Sequence, residues 1–380
     1  MSDWLIPLGA LNYGREEEDA VLRVLRSGWI SMGPEVQGFE GEVAEFQRSK
    51  HAFAVANGTA ALHLALLVLG INPGDEIIQP AINFVAAANM TTAMGATPVF
   101  ADIISLDEPT IDPTHVEQLI TAHTKAVIVM HYGGYLCRMR ELLHICRQHN
   151  LYLIEDACHA IGAACDEAGM AGSIGDIGTF SFFSNKNLAT GEGGMIVTGR
   201  DDLAERIRLL RSHGMSTLSW DRHKGYANAY DVSVRGYNYR LDEIHAALGR
   251  EQLKKLRAAN HRRGELTRLY EKLICNLPGW KIPFANRKGH SAFHLMPVVA
   301  PHTTARDQAV QSLRQDRIQT SLHYPCITGF SAFSDYKDAS IHRSQEFAGR
   351  VITLPLHPKM DKSSVEQVAS ALLRAVNSPS

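Results

Sequence analysis

The sequence predicts an α/β protein: a large domain with a mostly parallel seven-stranded sheet flanked by helices, then a smaller C-terminal α+β domain. Three observations carry this expectation. Between residues 50 and 200, seven short apolar runs alternate with helix-length segments. The runs are rich in Val, Ile and Phe and lack polar alternation, as expected of strands buried on both faces. Past residue 240 this texture gives way to one long helical pattern and then to short, mixed pieces. Strand–helix–strand repetition at this spacing calls for parallel pairing with helices on both sides of the sheet.

In chain order the expected strands are Ala52–Ala56, Glu76–Gln79, Pro98–Ala101, Ala126–Met130, Leu151–Ile154, Thr179–Phe183 and Met195–Val197. Helical patterns between them include Ala60–Leu69, Phe84–Met94 and Met139–His149. The first thirty or so residues read as an arm before the sheet. Leu241–Leu273 reads as a long helix carrying Leu248, Leu253 and Leu256 among Glu, Lys and Arg. After Pro278-Gly279 come strand-like pieces at Lys281–Phe284 and Phe293–Val299, and helical patterns at Ala305–Asp316 and Ser363–Val376. The division is therefore expected near Leu241, giving a large domain over 1–240 and a small one over 241–380.

With 380 residues the chain exceeds one ordinary core, since domains usually hold ~100–150 residues. Hydrophobic residues at 45% and charged residues at 21% argue against wholesale disorder. Lys+Arg 38 against Asp+Glu 40 leaves a net charge of -2, which argues against binding nucleic acid through bulk positive charge. No apolar run reaches the ~20 residues of a membrane-spanning helix. The opening residues show no basic stretch followed by an apolar block, and the six cysteines form no CxxC pair. Together these point to a cytoplasmic protein with reduced thiols and no metal site.

Chemistry is expected just past the carboxyl ends of the strands, where open α/β sheets bind ligands. Three segments stand there. Asn57-Gly58-Thr59-Ala60 leads into an apolar helix and could present backbone N–H groups to an anion, or serve only as a helix cap. Glu155 and Asp156 follow four apolar residues, either as a buried carboxylate seeking donors or as a cap for the segment after them. The aromatic run Gly178–Phe183 leads to Lys186 and then to a loop with three glycines in four positions, 191–194. Most lysines are solvated, but one held against an aromatic wall is suited to carbonyl chemistry. Amine, acid and anion-binding helix start are the parts that pyridoxal phosphate requires. No GxGxxG after a strand, no GxxxxGK[ST] and no HExxH favours a rival cofactor.

These segments resemble the pyridoxal-phosphate-dependent sugar aminotransferases of the DegT/DnrJ/EryC1/StrS group, which have the aspartate aminotransferase-type (fold type I) architecture. The resemblance runs through SGWISMGP (27–34), NGTAALHLALLVLGINPGDEII (57–78), HYGG (131–134) and IEDACHAIGA (154–163). It continues through GDIGTFSFFSNKNLATGEGGMIVT (175–198), GYNYRLDEIHAALG (236–249), HYP (323–325) and LPLHP (354–358).

The resemblance implies a role for each matched position. Lys186 is expected to join the cofactor covalently and to move protons, and Asp156 to keep the ring nitrogen protonated. His159 falls beside the ring's 3-hydroxyl and Phe84 on its face. Gly58, Thr59, Ala60 (through its N–H) and Ser181 fall at the phosphate. Asn238 is expected to reach the phosphate of a neighbouring subunit, which makes the active site an interface of a homodimer. The implied reaction moves an amino group from glutamate or glutamine to a keto sugar, expected to be nucleotide-linked. A keto-cyclitol acceptor, a sugar dehydration and a non-catalytic regulator are the alternatives; the presence of Lys186 argues against dehydration, whose enzymes in this group replace the lysine by histidine. Two features depart from the pattern or extend it. Ser184-Asn185 stand where Pro-Thr is common, and the loop 215–230 carries Arg222 and Lys224, which could meet a diphosphate or simply be solvated.

Overall fold

The computed structural model describes residues 4–377 apart from 166–168, 218–219, 221–223, 226–228, 286, 288 and 337–338. Helices α1 (Arg15–Ser27) and α2 (Pro34–Gln47) precede the sheet. Then follow β1 (His51–Val55), α3 (Gly58–Leu69), β2 (Glu76–Pro80), α4 (Ala86–Ala93), β3 (Thr97–Ala101), α5 (Pro113–Gln118), β4 (Thr124–Met130), α6 (Met139–Gln148) and β5 (Tyr152–Asp156). A two-stranded hairpin, β6 (Ala164–Cys165) with β7 (Gly169–Met170), leads to β8 (Ile177–Ser181), β9 (Gly194–Thr198) and α7 (Asp201–Leu210). The remainder contains α8 (Glu243–Ile274), β10 (Met296–Val299), α9 (Thr303–Gln315), α10 (His342–Arg350), β11 (Val351–Leu354) and α11 (Lys362–Asn377).

All seven expected strands enter one seven-stranded sheet, ordered β1-β9-β8-β5-β4-β2-β3. Only β9 runs against its neighbours; the pairs β8–β5, β5–β4, β4–β2 and β2–β3 are parallel. Alternate residues explain the unbroken apolar runs. On β4, Ala126 and Ile128 enter the apolar layer under α3, while Val127 and Val129 enter the layer on the opposite face. Burying a Val or Ile side chain in this way contributes about 1.5–3 kcal/mol, which favours apolar residues on both faces. Helix α3 is apolar all round because it is itself buried, covering β8 and β9 with α4 and α7 beside it.

Helix α8 starts at Asp242, whose carboxylate accepts the N–H of His245 at 3.0 Å. Its first half sends Ala246, Leu253 and Leu256 into the layer beside the large sheet. Its second half sends Leu266, Tyr270 and Ile274 into a second core with β10, β11 and α11. The opening segment differs from a loose arm: α1 and α2 pack on α8, and Gly33, Glu35 and Val36 donate N–H groups to the buried Glu243. Lys281–Phe284 makes a single bridge, Lys281 to Val299, instead of a strand, because a turn follows at 283–285. Among the described residues, no helix is long and apolar enough to cross a membrane.

Candidate active site

The parallel strands deliver the predicted residues to one cavity of about 400 Å³. It is lined by Asn57, Gly58 and Thr59 at the start of α3, Asn83 and Phe84 after β2, and Asp156, Cys158 and His159 at the end of β5. Ser181 and Lys186 come from the far side, and His323 and Tyr324 from the small unit. Gly58, Thr59, Phe84, Asp156, His159, Ser181 and Lys186 are thus brought together. Ala60 and Asn238 are not among the lining residues. The Ala60 N–H is instead donated to Asn57 Oδ1 at 2.8 Å, closing the helix cap. Asn238 is exposed and bridges to Ser212. Arg222 lies outside the described residues, and Lys224 lies 4.5 Å over the ring of Trp220.

The two adjacent acids of β5 point to opposite faces and have opposite fates. Glu155 is fully buried and saturated. It accepts the N–H groups of Gly172 (2.8 Å), Ile174 (2.7 Å) and Gly175 (2.6 Å), with His131 Nε2 at 2.9 Å. The Cys137 N–H points at His131 Nδ1, so the ring proton sits on Nε2 and is donated to Glu155. Asp156 is 4% exposed yet poorly supplied. One oxygen accepts the Cys158 N–H at 3.2 Å, and the other meets the Asn83 amide at 3.5 Å. No cation lies within ion-pair distance of it among the described residues. A buried carboxylate so bonded is costly unless a further donor completes it. The capping alternative for these acids fails, since 157–162 is a series of turns with no helix to cap.

Lys186 follows a turn closed by its own N–H on the Phe183 carbonyl at 2.8 Å. Its amine makes no ion pair or hydrogen bond among the described residues. Burial pushes its pKa below the usual lysine range, and Cys158 and Asp156 pull the other way. A larger share of neutral amine at neutral pH results. Burial, with Lys186 and His323 adding to it, drives His159 well below the ordinary histidine range. His159 Nε2 meets the Tyr324 hydroxyl at 2.8 Å, while the buried Nδ1 has no partner among the described residues. Two glycines let the elements close in. A Cβ on Gly58 would lie 2.9 Å from Ser181 Cβ, and one on Gly194 would lie 2.5 Å from the Asn57 carbonyl carbon. Phe84 is 57% exposed and so is a wall of the cavity, not a core residue.

Sequence reasoning missed Asn83, Cys158 and Tyr324 as lining residues. It also missed His294 and Arg263, which the small unit and α8 carry to the rear of Lys186.

The residues present fit a pyridoxal-type cofactor: an unpaired amine, an under-bonded buried carboxylate, an orphaned imidazole nitrogen, and a glycine-opened helix start with hydroxyls at Thr59 and Ser181. A sequence model described as the DegT/DnrJ/EryC1/StrS aminotransferase family matches residues 12–373. The chain is 40% identical over 369 residues to the spore coat polysaccharide biosynthesis protein SpsC of Bacillus subtilis, covering 94% of each chain. It is 36% identical over 375 residues to dTDP-4-dehydro-2,3,6-trideoxy-D-glucose 4-aminotransferase of Saccharopolyspora spinosa, covering 96% of this chain and 94% of that one. Among solved structures, Helicobacter pylori PseC, an aminotransferase involved in the biosynthesis of pseudoaminic acid, superposes with a TM-score of 0.90 at 30% identity, over 97% of this chain and 98% of that one. The pyridoxal phosphate form of a putative sugar aminotransferase, Spr1654 of Streptococcus pneumoniae, does so with a TM-score of 0.90 at 25% identity, over 98% of each chain. Sequence, fold and site agree: the chain belongs to the DegT/DnrJ/EryC1/StrS family of pyridoxal-phosphate-dependent aminotransferases.

Proposed function

We propose that this enzyme moves an amino group from glutamate or glutamine to a keto sugar carried on a nucleotide. The observation that carries the catalytic part is the pairing, across one cavity, of an unpartnered lysine with a buried carboxylate short of donors. The sugar part is supported by the Saccharopolyspora relative, whose name specifies a dTDP-linked keto sugar, and by PseC.

Pyridoxal phosphate, when bound, supplies an aldehyde for amine exchange and an electron-withdrawing ring. Each residue of the chain has a defined part beside it. Lys186 Nζ would hold the cofactor through its aldehyde and, when free, would take up and return the proton of the substrate carbon. Asp156 would accept a hydrogen bond from the ring nitrogen and keep its proton there; a charge-assisted bond of this kind contributes about 1.5–3 kcal/mol. His159 would lie on the ring's hydroxyl side and Phe84 on its face. Gly58, Thr59 and Ser181 would seat the phosphate at the positive end of α3. Ala60 serves that seat through the helix cap, since its N–H is already engaged by Asn57.

Asn238 extends this set to a second copy. It is exposed, and the alternate residues Tyr230, Val232 and Val234, with Tyr237, leave apolar side chains 38–52% exposed beside it. Such a strip on one copy is suited to covering by another, and we assign it to a homodimer interface that brings Asn238 to the partner's phosphate. A monomer in solution with full activity would remove that part. All six cysteines are unpaired, in keeping with a cytoplasmic setting.

Lys186→Ala tests the reading. It is expected to abolish glutamate-dependent amination and the visible absorbance of the lysine-linked cofactor. Amination that persists in this variant would overturn the assignment.

A further inference from the structure

A second cavity, of about 60 Å³, opens behind the first and shares Asn185, Lys186 and His323 with it. It is closed by the segment Leu8–Asn12 on one side and by Leu354, Leu356 and Pro358 on the other. Its size admits a few waters or one carboxylate, and excludes a sugar ring. At its wall stands Arg263 of α8, 5% exposed. Nη1 donates to the Leu356 carbonyl at 2.6 Å, while the buried Nε has no partner. No carboxylate lies within ion-pair distance of Arg263 among the described residues. Arg211, equally buried, is by contrast paired with Glu40. An uncompensated buried cation costs several kcal/mol, a cost that an arriving anion would offset.

Two neutral histidines line the same cavity. His294 fixes Nδ1 on Asn187 Oδ1 at 2.9 Å, and His323 fixes Nδ1 on Thr353 Oγ1 at 3.0 Å. Each has its second nitrogen without a partner among the described residues, and no acidic side chain lines the cavity. An amino acid carries its amine and its α-carboxylate on one carbon. A site that holds the carboxylate just behind the lysine that exchanges the amine therefore fixes the direction of the Cα–H bond.

We propose that Arg263 is the recognition group for the α-carboxylate of the amino-acid donor. The inference rests on the amino-transfer reading above and adds to it a division of labour. The donor needs Arg263, and the keto sugar, which has no carboxylate there, does not.

The test uses the full-length, cofactor-loaded enzyme titrated with α-methylglutamate, which binds as a donor but lacks the hydrogen to be removed. Arg263→Met is expected to weaken this binding by about 100-fold or more, the cost of truncating one partner of a buried charge pair. Arg263→Lys, which keeps the charge and loses the planar fork, is expected to lose less. In both variants, kcat/KM for the keto sugar, measured on enzyme already carrying the amino group, stays at the wild-type value. Equal losses for donor and acceptor, or unchanged donor binding with only a lowered Tm, would overturn the proposal and leave Arg263 a structural residue. If wild type binds the analogue yet aminates no keto sugar, the acceptor assignment falls, while donor loss in Arg263→Met still supports this inference. Wild type that binds no amino acid would sink both.

Discussion

Glu155 and Asp156 are neighbours of like charge, and their surroundings make one a brace and the other a reagent. Glu155 has four donors and needs nothing more; Asp156 has two weak ones and faces the cavity. Substitution should separate the two. Asp156→Asn keeps the shape and removes the charge, so kcat is expected to fall by about 100-fold or more with Tm near wild type. Glu155→Gln is expected to do the reverse, lowering stability by about 2 kcal/mol through buried N–H groups left short of an acceptor, with activity per folded molecule largely kept. Thermal melts read beside steady-state rates decide it; a catalytic collapse in Glu155→Gln with an unchanged melt would contradict the assignment. The sequence left a buried carboxylate and a helix cap as alternatives here, the first because four apolar residues precede the pair. It could not show which acid would be saturated, because the donors come from residues 172–175, some twenty positions on.

At the scale of elements, the sheet was the most legible feature. Each strand contains a short apolar run, as burial on both faces favours, with polar residues mostly at its ends. Boundaries moved only slightly: β5 runs on through Glu155 and Asp156, and β8 begins two residues before the expected Thr179. The small unit was less legible. Lys281–Phe284 has the residue types of a strand yet turns, and β11 was missed because Val351–Leu354 is too short to show a period. Glycines carried much of the site's signal, and Gly194 shows why. Strand β9 crosses the start of α3 so closely that a Cβ at 194 would meet the backbone of Asn57 at 2.5 Å and of Gly58 at 2.8 Å. Gly194→Ala is therefore expected to cost about 1–3 kcal/mol and to loosen the cofactor, read as a lower Tm and faster release on dialysis. Unchanged retention would show that the helix start is not part of the seat.

For the whole molecule, buried histidines set the response to acid. Burial holds His159 and His294 well below the ordinary range and pushes His323 and His357 down to about 4, with neighbouring cations adding to each. The unfolded chain binds protons at these groups near pH 6.5, whereas the folded chain resists until lower pH. Stability is thus fully present above pH 6.5 and is lost as pH falls from there toward 4, by up to about 1.4 kcal/mol per pH unit for each histidine. His131, raised to about 10 against the effect of burial by its bonds to Cys137 and Glu155, and His245, raised by Asp242, oppose this and offset a part. A Tm that stays flat between pH 6.5 and 4.5 would show that these rings are solvated.

The most direct test of the central claim is chemical. Borohydride added to the cofactor-loaded enzyme freezes the link between protein and cofactor, and peptide mass mapping then locates it. The account predicts a single modified residue, Lys186, with the modification lost when excess donor amino acid is added first. A modification at any other lysine, or one that the donor does not displace, would contradict it.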